Sequence, residues 1–162
     1  MLEAHNPGNM FVTLFLALYD PKSGELSYAN GGHCPPYIID AASDAPPRML
    51  DKLSGPLVGV IPDMEYTLFT DTLKEQESCL IFTDGVTEAM NSDKELYGEA
   101  RLQDFLAAHR GASPRELLTL IFSELVRFRG EEPQSDDITM LAFCRTHNAS
   151  VAQPTSTART SS

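Results

Sequence analysis

The first half of the chain consists of short apolar stretches separated by turn residues, a pattern that predicts a β-rich domain. Residues Phe11–Tyr19 are apolar on both alternating faces, which predicts a central strand covered on both sides. A turn rich in proline and glycine at 20–25 predicts that Leu26–Asn30 returns as its hairpin partner. Further strands are expected at Tyr37–Ile39, Tyr66–Thr70, Leu80–Phe82 and Ile138–Cys144.

Two amphipathic helices are predicted between the last two of these strands. Residues Gly98–Arg110 place their apolar side chains on one stripe. The sequence Ser-Pro-Arg-Glu from Ser113 is a capping box with proline at the first helical position, and it opens a second helix that runs to about Arg129. Because both apolar stripes need cover, the helices are expected to pack on a sheet, which makes the fold class α+β.

The organisation predicted is one domain over residues 10–145. The chain has 162 residues, of which 42% are hydrophobic, enough for one core. Residues 1–9 carry no clear pattern and are interpreted as the remnant of a preceding helix or loop. From Thr146 onward Ser, Thr, Ala and Gln dominate without periodicity, so residues 146–162 are predicted to form a disordered tail.

The net charge of the chain limits the classes of partner that it is expected to bind. A formal net charge of -11 argues against nucleic acid and against an anionic membrane surface, since both need clustered Lys and Arg. No apolar run approaches a membrane span, and the N-terminus does not resemble a signal peptide. Cys34, Cys79 and Cys144 are odd in number and widely spaced, which indicates free thiols rather than disulfides or a zinc site. We therefore expect a cytoplasmic protein.

Two acidic positions lie where apolar runs end or begin. Asp84, followed by Gly85, ends the Leu80–Phe82 run, and Asp136 with Asp137 leads into the last strand. If these strands lie side by side, Asp84 and Asp136 converge, and carboxylate oxygens are the ligands that Mg²⁺ and Mn²⁺ prefer. The alternative is that Asp-Gly is an ordinary turn and Asp-Asp a solvated strand entrance. The spacing alone leaves both interpretations open.

A loop with two adjacent glycines, Gly31 and Gly32, precedes His33. Glycines there allow the backbone to approach another strand or a ligand closely. His33 could serve as a functional base, but a loop histidine hydrogen-bonded to backbone is commoner. The structural role is therefore favoured for His33.

Five short motifs follow one another in an order that marks a known family. They are Asn9–Leu14, Tyr28–His33, Thr83–Glu88, Glu95–Gly98 and Asp136–Thr139. Each is weak alone, but together, across about residues 6–145, they resemble the SpoIIE/RsbU-type bacterial serine phosphatases of the metal-dependent PPM superfamily. The family pattern usually has Ala where Gly31 stands and Asn where Cys34 stands.

The resemblance implies a PPM-type β-sandwich flanked by helices in the order α/β/β/α. It implies that Asp84 and Asp136 bind metal and act in catalysis through a metal-bound water. Three further residues would either hold the two metal-binding acids in position or have a structural role: Asp137, Gly85 and His33. The family hydrolyses phosphoserine or phosphothreonine on protein partners, notably anti-anti-sigma factors, with two Mn²⁺ or Mg²⁺ ions that activate a bridging water.

One departure from the family changes these expectations. The family's opening strands, with their Gly-Gly-Asp and Asp-Val-x-Gly-His-Gly motifs, supply the acid that bridges the two metals, and this sequence does not contain them. We therefore expect a fragment or truncated form of a longer protein that carries a sensor or receiver domain. With about half of the ligands, metal binding and activity should be weak or absent.

Two further expectations follow from the missing strands. The alternative function, from another class, is a non-catalytic phosphatase-like module that binds a regulatory protein. The strand edges left uncovered would favour pairing with a second copy, so a homodimer is expected.

Overall fold

The computed structural model describes residues 10–146, so the predicted remnant at 1–9 and nearly all of the predicted tail lie outside the described residues. The elements in chain order are β1 (Leu14–Tyr19), β2 (Glu25–Gly31), β3 (Tyr37–Asp40), β4 (Arg48–Met49), β5 (Phe69–Thr72), β6 (Glu77–Phe82), a short 3-10 helix (Asp84–Val86), α1 (Gly98–Ala108), α2 (Pro114–Arg129) and β7 (Met140–Cys144).

The strands form two antiparallel sheets. One has the order β1-β2-β5, and the other has the order β4-β3-β6-β7. The β1-β2 hairpin runs in register from Leu14 opposite Gly31 to Tyr19 opposite Leu26, so the predicted hairpin is confirmed. β6 and β7 are direct neighbours, with Phe82 opposite Met140 at one end of the pair.

The two sheets face each other across an apolar core. Its side chains come from both sheets and from the segments that join them: Leu26, Tyr28, Ile38, Leu50, Leu73 and Cys79. A bidentate ion pair also connects the sheets at one end, where Arg48 on β4 donates to both carboxylate oxygens of Asp71 on β5 at 2.8 and 2.9 Å. The two sheets are therefore held together by apolar packing, with an ion pair at the margin.

Both helices cover the other face of the four-stranded sheet. Leu102 and Leu106 of α1, with Leu117 and Ile121 of α2, are buried in one cluster with side chains of β3 and β6. The described residues thus supply three layers, helices, sheet and sheet, of the α/β/β/α arrangement. The predicted fold class, α+β with two sheets in a sandwich flanked by helices, is confirmed.

Helix α2 forms where its terminal signals predict. The Ser113 side chain accepts from the N–H of Glu116, and the Glu116 carboxylate accepts from the N–H of Ser113, a complete capping box. The helix ends at Arg129, and Gly130 follows with a positive φ of 60°, a conformation that glycine adopts without strain.

Strand β1 differs from its prediction as a central strand covered on both sides. It lies at the edge of its sheet, and its side chains alternate between half-buried and exposed. Leu16 and Leu18 are 60% and 75% exposed, respectively, because no element within residues 10–146 packs over that face. We call the side chains of Leu14, Leu16 and Leu18 the β1 outer face.

Candidate metal centre

The site lies where β6 ends and β7 begins, at one edge of the four-stranded sheet. The backbone N–H of Thr83 donates to the Thr139 carbonyl at 3.0 Å, which carries the strand pairing one step past β6. The Thr83 hydroxyl accepts from the N–H of Thr139 at 2.9 Å and donates to the Asp137 carbonyl at 2.9 Å. These bonds hold the segment before Asp84 against the segment after Asp136.

Gly85 allows the two segments to come this close. It is buried, and a Cβ at this position would lie 2.5 Å from the Asp137 carbonyl oxygen and 3.2 Å from that of Asp136. No side chain fits at such distances, so the backbone of Asp136 and Asp137 passes directly over Gly85. The supporting role of Gly85 stays a prediction; the structure places its Cα in close contact with the backbone of both acidic residues.

Three carboxylates lie close together at this site. Oxygen atoms of Asp84, Glu88 and Asp136 all lie within 4.8 Å of one another, and all three residues are exposed. The structure thus brings together Asp84 and Asp136, the two acids that the strand pattern predicts should converge. Glu88 was not predicted as a site residue.

A local turn explains why Glu88 joins the cluster. Asp84 opens the 3-10 helix Asp84–Val86, and the N–H of Glu88 donates to the Asp84 carbonyl at 2.8 Å. This bond spans one helical turn, which places residues four apart on the same side. The signal was present in the sequence, since Glu88 ends the motif that begins at Thr83.

The donor set fits a hard divalent cation. All three groups offer carboxylate oxygens, which Mg²⁺ and Mn²⁺ prefer over nitrogen or sulfur. Two oxygens on opposite sides of one Mg²⁺ lie about 4 Å apart, so a spread of at most 4.8 Å needs only small side-chain adjustments. Asp84, Glu88 and Asp136 would therefore hold the cation.

Asp137 plays a different part in the geometry. Its N–H donates to the Asp136 carboxylate at 2.6 Å, and its carbonyl accepts from Thr83. Its own carboxylate is not in the three-residue cluster. The backbone of Asp137 thus orients the Asp136 side chain.

His33 is fixed by its backbone. The Asn30 side chain accepts from the N–H of His33 at 2.8 Å and donates to its carbonyl at 2.9 Å. The imidazole Nδ1 lies 3.4 Å from the Thr13 hydroxyl. These contacts link the glycine loop to the buried Asn30 and to the segment before β1, and the structural role of His33 stays a prediction.

Cys34, at the position where the family usually has Asn, lies within electrostatic reach of the cluster. Burial raises the pKa of the Cys34 thiol, and the negative charges of Asp84, Glu99 and Glu88 raise it further. The thiol therefore stays protonated at neutral pH and adds no negative charge beside the carboxylates.

The fold and the acidic cluster together define the class of this protein. The fold of two facing antiparallel sheets with helices on one outer face is similar to part of the crystal structure of the RsbU and RsbW domains of Rv1364c from Mycobacterium tuberculosis, with a TM-score of 0.71 and 26% identity. The match covers 89% of this chain and 39% of that one. The class is that of the PPM phosphatase domains.

Sequence comparison defines the family. A family model described as Stage II sporulation protein E (SpoIIE) matches residues 1–146. The chain belongs to the SpoIIE family.

Two curated relatives are similar over most of this chain. Protein IcfG of Synechocystis sp. is 38% identical over 141 residues, which is 87% of this chain and 22% of IcfG. Phosphoserine phosphatase RsbU of Bacillus subtilis is 25% identical over 145 residues, which is 90% of this chain and 42% of RsbU. The chain thus spans less than half the length of either relative.

Among residues 10–146, the structure contains no helix that combines the length and the apolar character needed to cross a bilayer.

Proposed function

We propose that this chain is part of a metal-dependent protein serine/threonine phosphatase. The observation that supports the proposal is the convergence of Asp84, Glu88 and Asp136 at one sheet edge in a member of the SpoIIE family. Its relative RsbU is named a phosphoserine phosphatase, and we extend that substrate class to this protein. The substrate would be a phosphoprotein such as an anti-anti-sigma factor.

The exposure of the cluster suits such a substrate. All three carboxylates are open to solvent at the end of a sheet, so a phosphorylated side chain on the surface of another protein can reach them. Mn²⁺ or Mg²⁺ at this position would lower the pKa of a bound water and neutralise charge on the phosphoryl oxygens. Asp84, Glu88 and Asp136 would hold the cation, while the contact at Gly85 and the Thr83 hydroxyl keep the two loops together.

The metal centre is tested by isothermal titration calorimetry, in which MnCl₂ is titrated into the chain. We expect weak but measurable binding that Asp84→Asn and Asp136→Asn remove and Glu88→Gln weakens. Asp104→Asn, which changes an exposed acid on α1, is the matched control and should bind Mn²⁺ as the wild-type chain does. The metal centre is wrong if Asp84→Asn and Asp104→Asn behave alike.

Activity needs its own measurement. The chain alone should hydrolyse p-nitrophenyl phosphate poorly, because the resemblance gives it only about half of the family's ligands. A longer protein containing this chain should remove phosphate from a phosphoserine protein in a Mn²⁺-dependent reaction that Asp84→Asn abolishes. Robust turnover by the chain alone would show that ligands come from residues not identified above.

The second candidate function is a non-catalytic module that binds a phosphoprotein or regulatory partner. The incomplete ligand set implied by the resemblance favours it for the chain as it stands. Mass spectrometry of a phosphoserine protein, incubated with the longer protein that contains this chain, separates the candidates. The phosphoserine protein keeps its phosphate if the domain only binds it and loses the phosphate if the domain is a phosphatase.

The β1 outer face supports the expected homodimer. Large exposed apolar patches on soluble proteins mark interaction surfaces, and among the strands of residues 10–146 β1 is also an edge strand of its sheet. A second copy could cover both, and symmetric dimers are the commonest oligomers.

We also propose that the protein is cytoplasmic and that this chain is part of a longer protein. Cys34, Cys79 and Cys144 are all free thiols, as a reducing compartment favours. IcfG and RsbU both extend well beyond the matched region, which leaves room for the sensor or receiver domain expected in the parent protein.

A further inference from the structure

The Ser135 side chain joins the loop before β7 to the backbone of Glu88, one of the cluster acids. The Ser135 hydroxyl donates to the Glu88 carbonyl at 3.0 Å, across 47 residues of sequence. Ser135 directly precedes Asp136, so the hydrogen bond connects the residue next to one cluster acid with the backbone of another. The loop after β6 and the loop before β7 are thereby linked at the level of the carboxylates.

The other bonds around the site act elsewhere. The bonds from Thr83 to Thr139 and to the Asp137 carbonyl extend the pairing of β6 with β7, and they involve the residue before Asp84 rather than Glu88. The Gln134 side chain donates to the Asp136 carbonyl at 2.7 Å, but both residues belong to the same loop. The N–H bond from Glu88 to Asp84 is likewise internal to its own loop. Among these contacts, the Ser135 bond is the one that connects the backbone of Glu88 to the residue next to Asp136.

We propose that Ser135 is a positioning residue that sets the separation between the Glu88 and Asp136 carboxylates and thereby the affinity of the cluster for a divalent cation. The proposal rests on the metal-binding role proposed above. Exposed acidic side chains lose conformational freedom when they bind a cation. A backbone already fixed at Glu88 reduces that loss. Outer groups that hydrogen-bond metal ligands typically change metal affinity by 10- to 100-fold, and a bond to the backbone of a ligand acts less directly than one to its carboxylate.

The expected change can be measured without unfolding the chain. Ser135 and Glu88 are both exposed, so removing the hydroxyl leaves a carbonyl that water can satisfy. Ser135→Ala should therefore fold, and Ser135→Thr keeps a hydroxyl at the same position. Ser123→Ala is the matched control, because the Ser123 hydroxyl is exposed and donates to a backbone carbonyl within α2, that of Thr119, at 2.8 Å.

The first test is a titration of MnCl₂ into the full chain. Ser135→Ala should bind Mn²⁺ about ten-fold more weakly than wild type, at the lower end of the range for such partners because the bond is exposed. Ser135→Thr should recover most of the affinity, and Ser123→Ala should match wild type. If Asp84→Asn abolishes binding while Ser135→Ala leaves it unchanged, the Ser135 proposal is overturned and the metal centre stands. If Asp84→Asn also has no effect, the metal centre itself is wrong.

The second test does not depend on metal. In the metal-free chain, amide hydrogen exchange in residues 86–91 should be faster in Ser135→Ala than in Ser123→Ala, while both variants unfold at the same urea concentration. Exchange that is equal in the two variants overturns the proposal whatever the titration shows.

Discussion

The two sheets of this protein contain similar strands in different surroundings. β6, in the four-stranded sheet, is covered by helices on one side and by the other sheet on the opposite side, so nearly all of its side chains are buried. β1, in the three-stranded sheet, carries three leucines on one face and Phe15, Ala17 and Tyr19 on the other, and within residues 10–146 only the second face is packed. The difference lies in what covers each strand.

This contrast separates two roles within one domain. The proposed metal loops extend from β6 and β7, which are held by the core, and rigid elements position a site more accurately than mobile ones. The β1 outer face lies on the other side of the sandwich, where an exposed apolar surface can meet a partner. Changes in the two sheets should therefore affect different measurements.

Truncating a leucine in each sheet gives the largest expected difference. Leu80 is 0% exposed on β6, and Leu80→Ala should lower the free energy of unfolding by about 3 kcal/mol through lost burial and an internal cavity. Leu16→Ala on β1 should change it by less than about 0.5 kcal/mol because that side chain is largely exposed. Urea denaturation at low protein concentration measures both. Equal losses would mean that the β1 outer face is covered in the monomer.

Gly85→Ala should produce the next largest effect. Its new methyl group would lie 2.5 Å from the Asp137 carbonyl, so the two loops must separate, at a cost of about 2 kcal/mol. Mn²⁺ affinity should fall along with stability. Gly111→Ala is the control, since a Cβ there has no atom within 4 Å. Titration and urea denaturation of both variants check this, and a Gly85→Ala chain that behaves like Gly111→Ala would contradict the close approach.

A charge on the β1 outer face should alter assembly with little effect on folding. Leu16→Asp places a carboxylate in the proposed dimer contact, so light scattering at micromolar concentration should find a dimer for wild type and a monomer for the variant. Leu53→Asp is the matched control, because Leu53 is 61% exposed and Leu16 is 60% exposed. A monodisperse monomer of the wild-type chain would contradict the proposed homodimer.

The smallest expected effect is a pH dependence at the start of α2. The Ser113 hydroxyl and N–H hold the pKa of the Glu116 carboxyl below its usual range. A lowered pKa in the folded state means that the stabilisation is present above the ordinary Glu pKa of about 4.3 and is lost as the pH falls through the lowered value. Glu116→Gln should be slightly less stable than wild type at pH 7 and equal to it in strong acid. A difference that persists in acid would argue against the charge as its cause.

Helix α2 shows how much of this fold local sequence can predict. Ser113, Pro114 and Gly130 determine where the helix starts and stops through their own backbone chemistry, and the observed bounds agree. β1 shows the limit, because apolar residues on both faces indicate a strand but not what lies against each face. The segment Tyr66–Thr70 shows a second limit. Strand β5 forms instead at Phe69–Thr72, while the Tyr66 hydroxyl donates to the Pro56 carbonyl at 3.0 Å.

The site was predictable to the extent that it depends on strand ends. Asp84 and Asp136 adjoin apolar runs, so the pairing of β6 with β7 brings them together. Glu88 depends on a turn after the strand, and the strand pattern contains no information on that turn. The Ser135 bond could not be predicted from the sequence. A serine beside an acid has no distinctive spacing, and it acquires this contact only in the folded chain.

The chain order of the site also has a consequence for synthesis. Glu88 leaves the ribosome 47 residues before Ser135, with both helices between them. At ribosomal rates of about 5–20 residues per second, several seconds pass in which the first two acids exist without the third. Under the proposed function, a nascent chain therefore cannot load its cation or act on phosphoproteins until its last strand has been made and has paired.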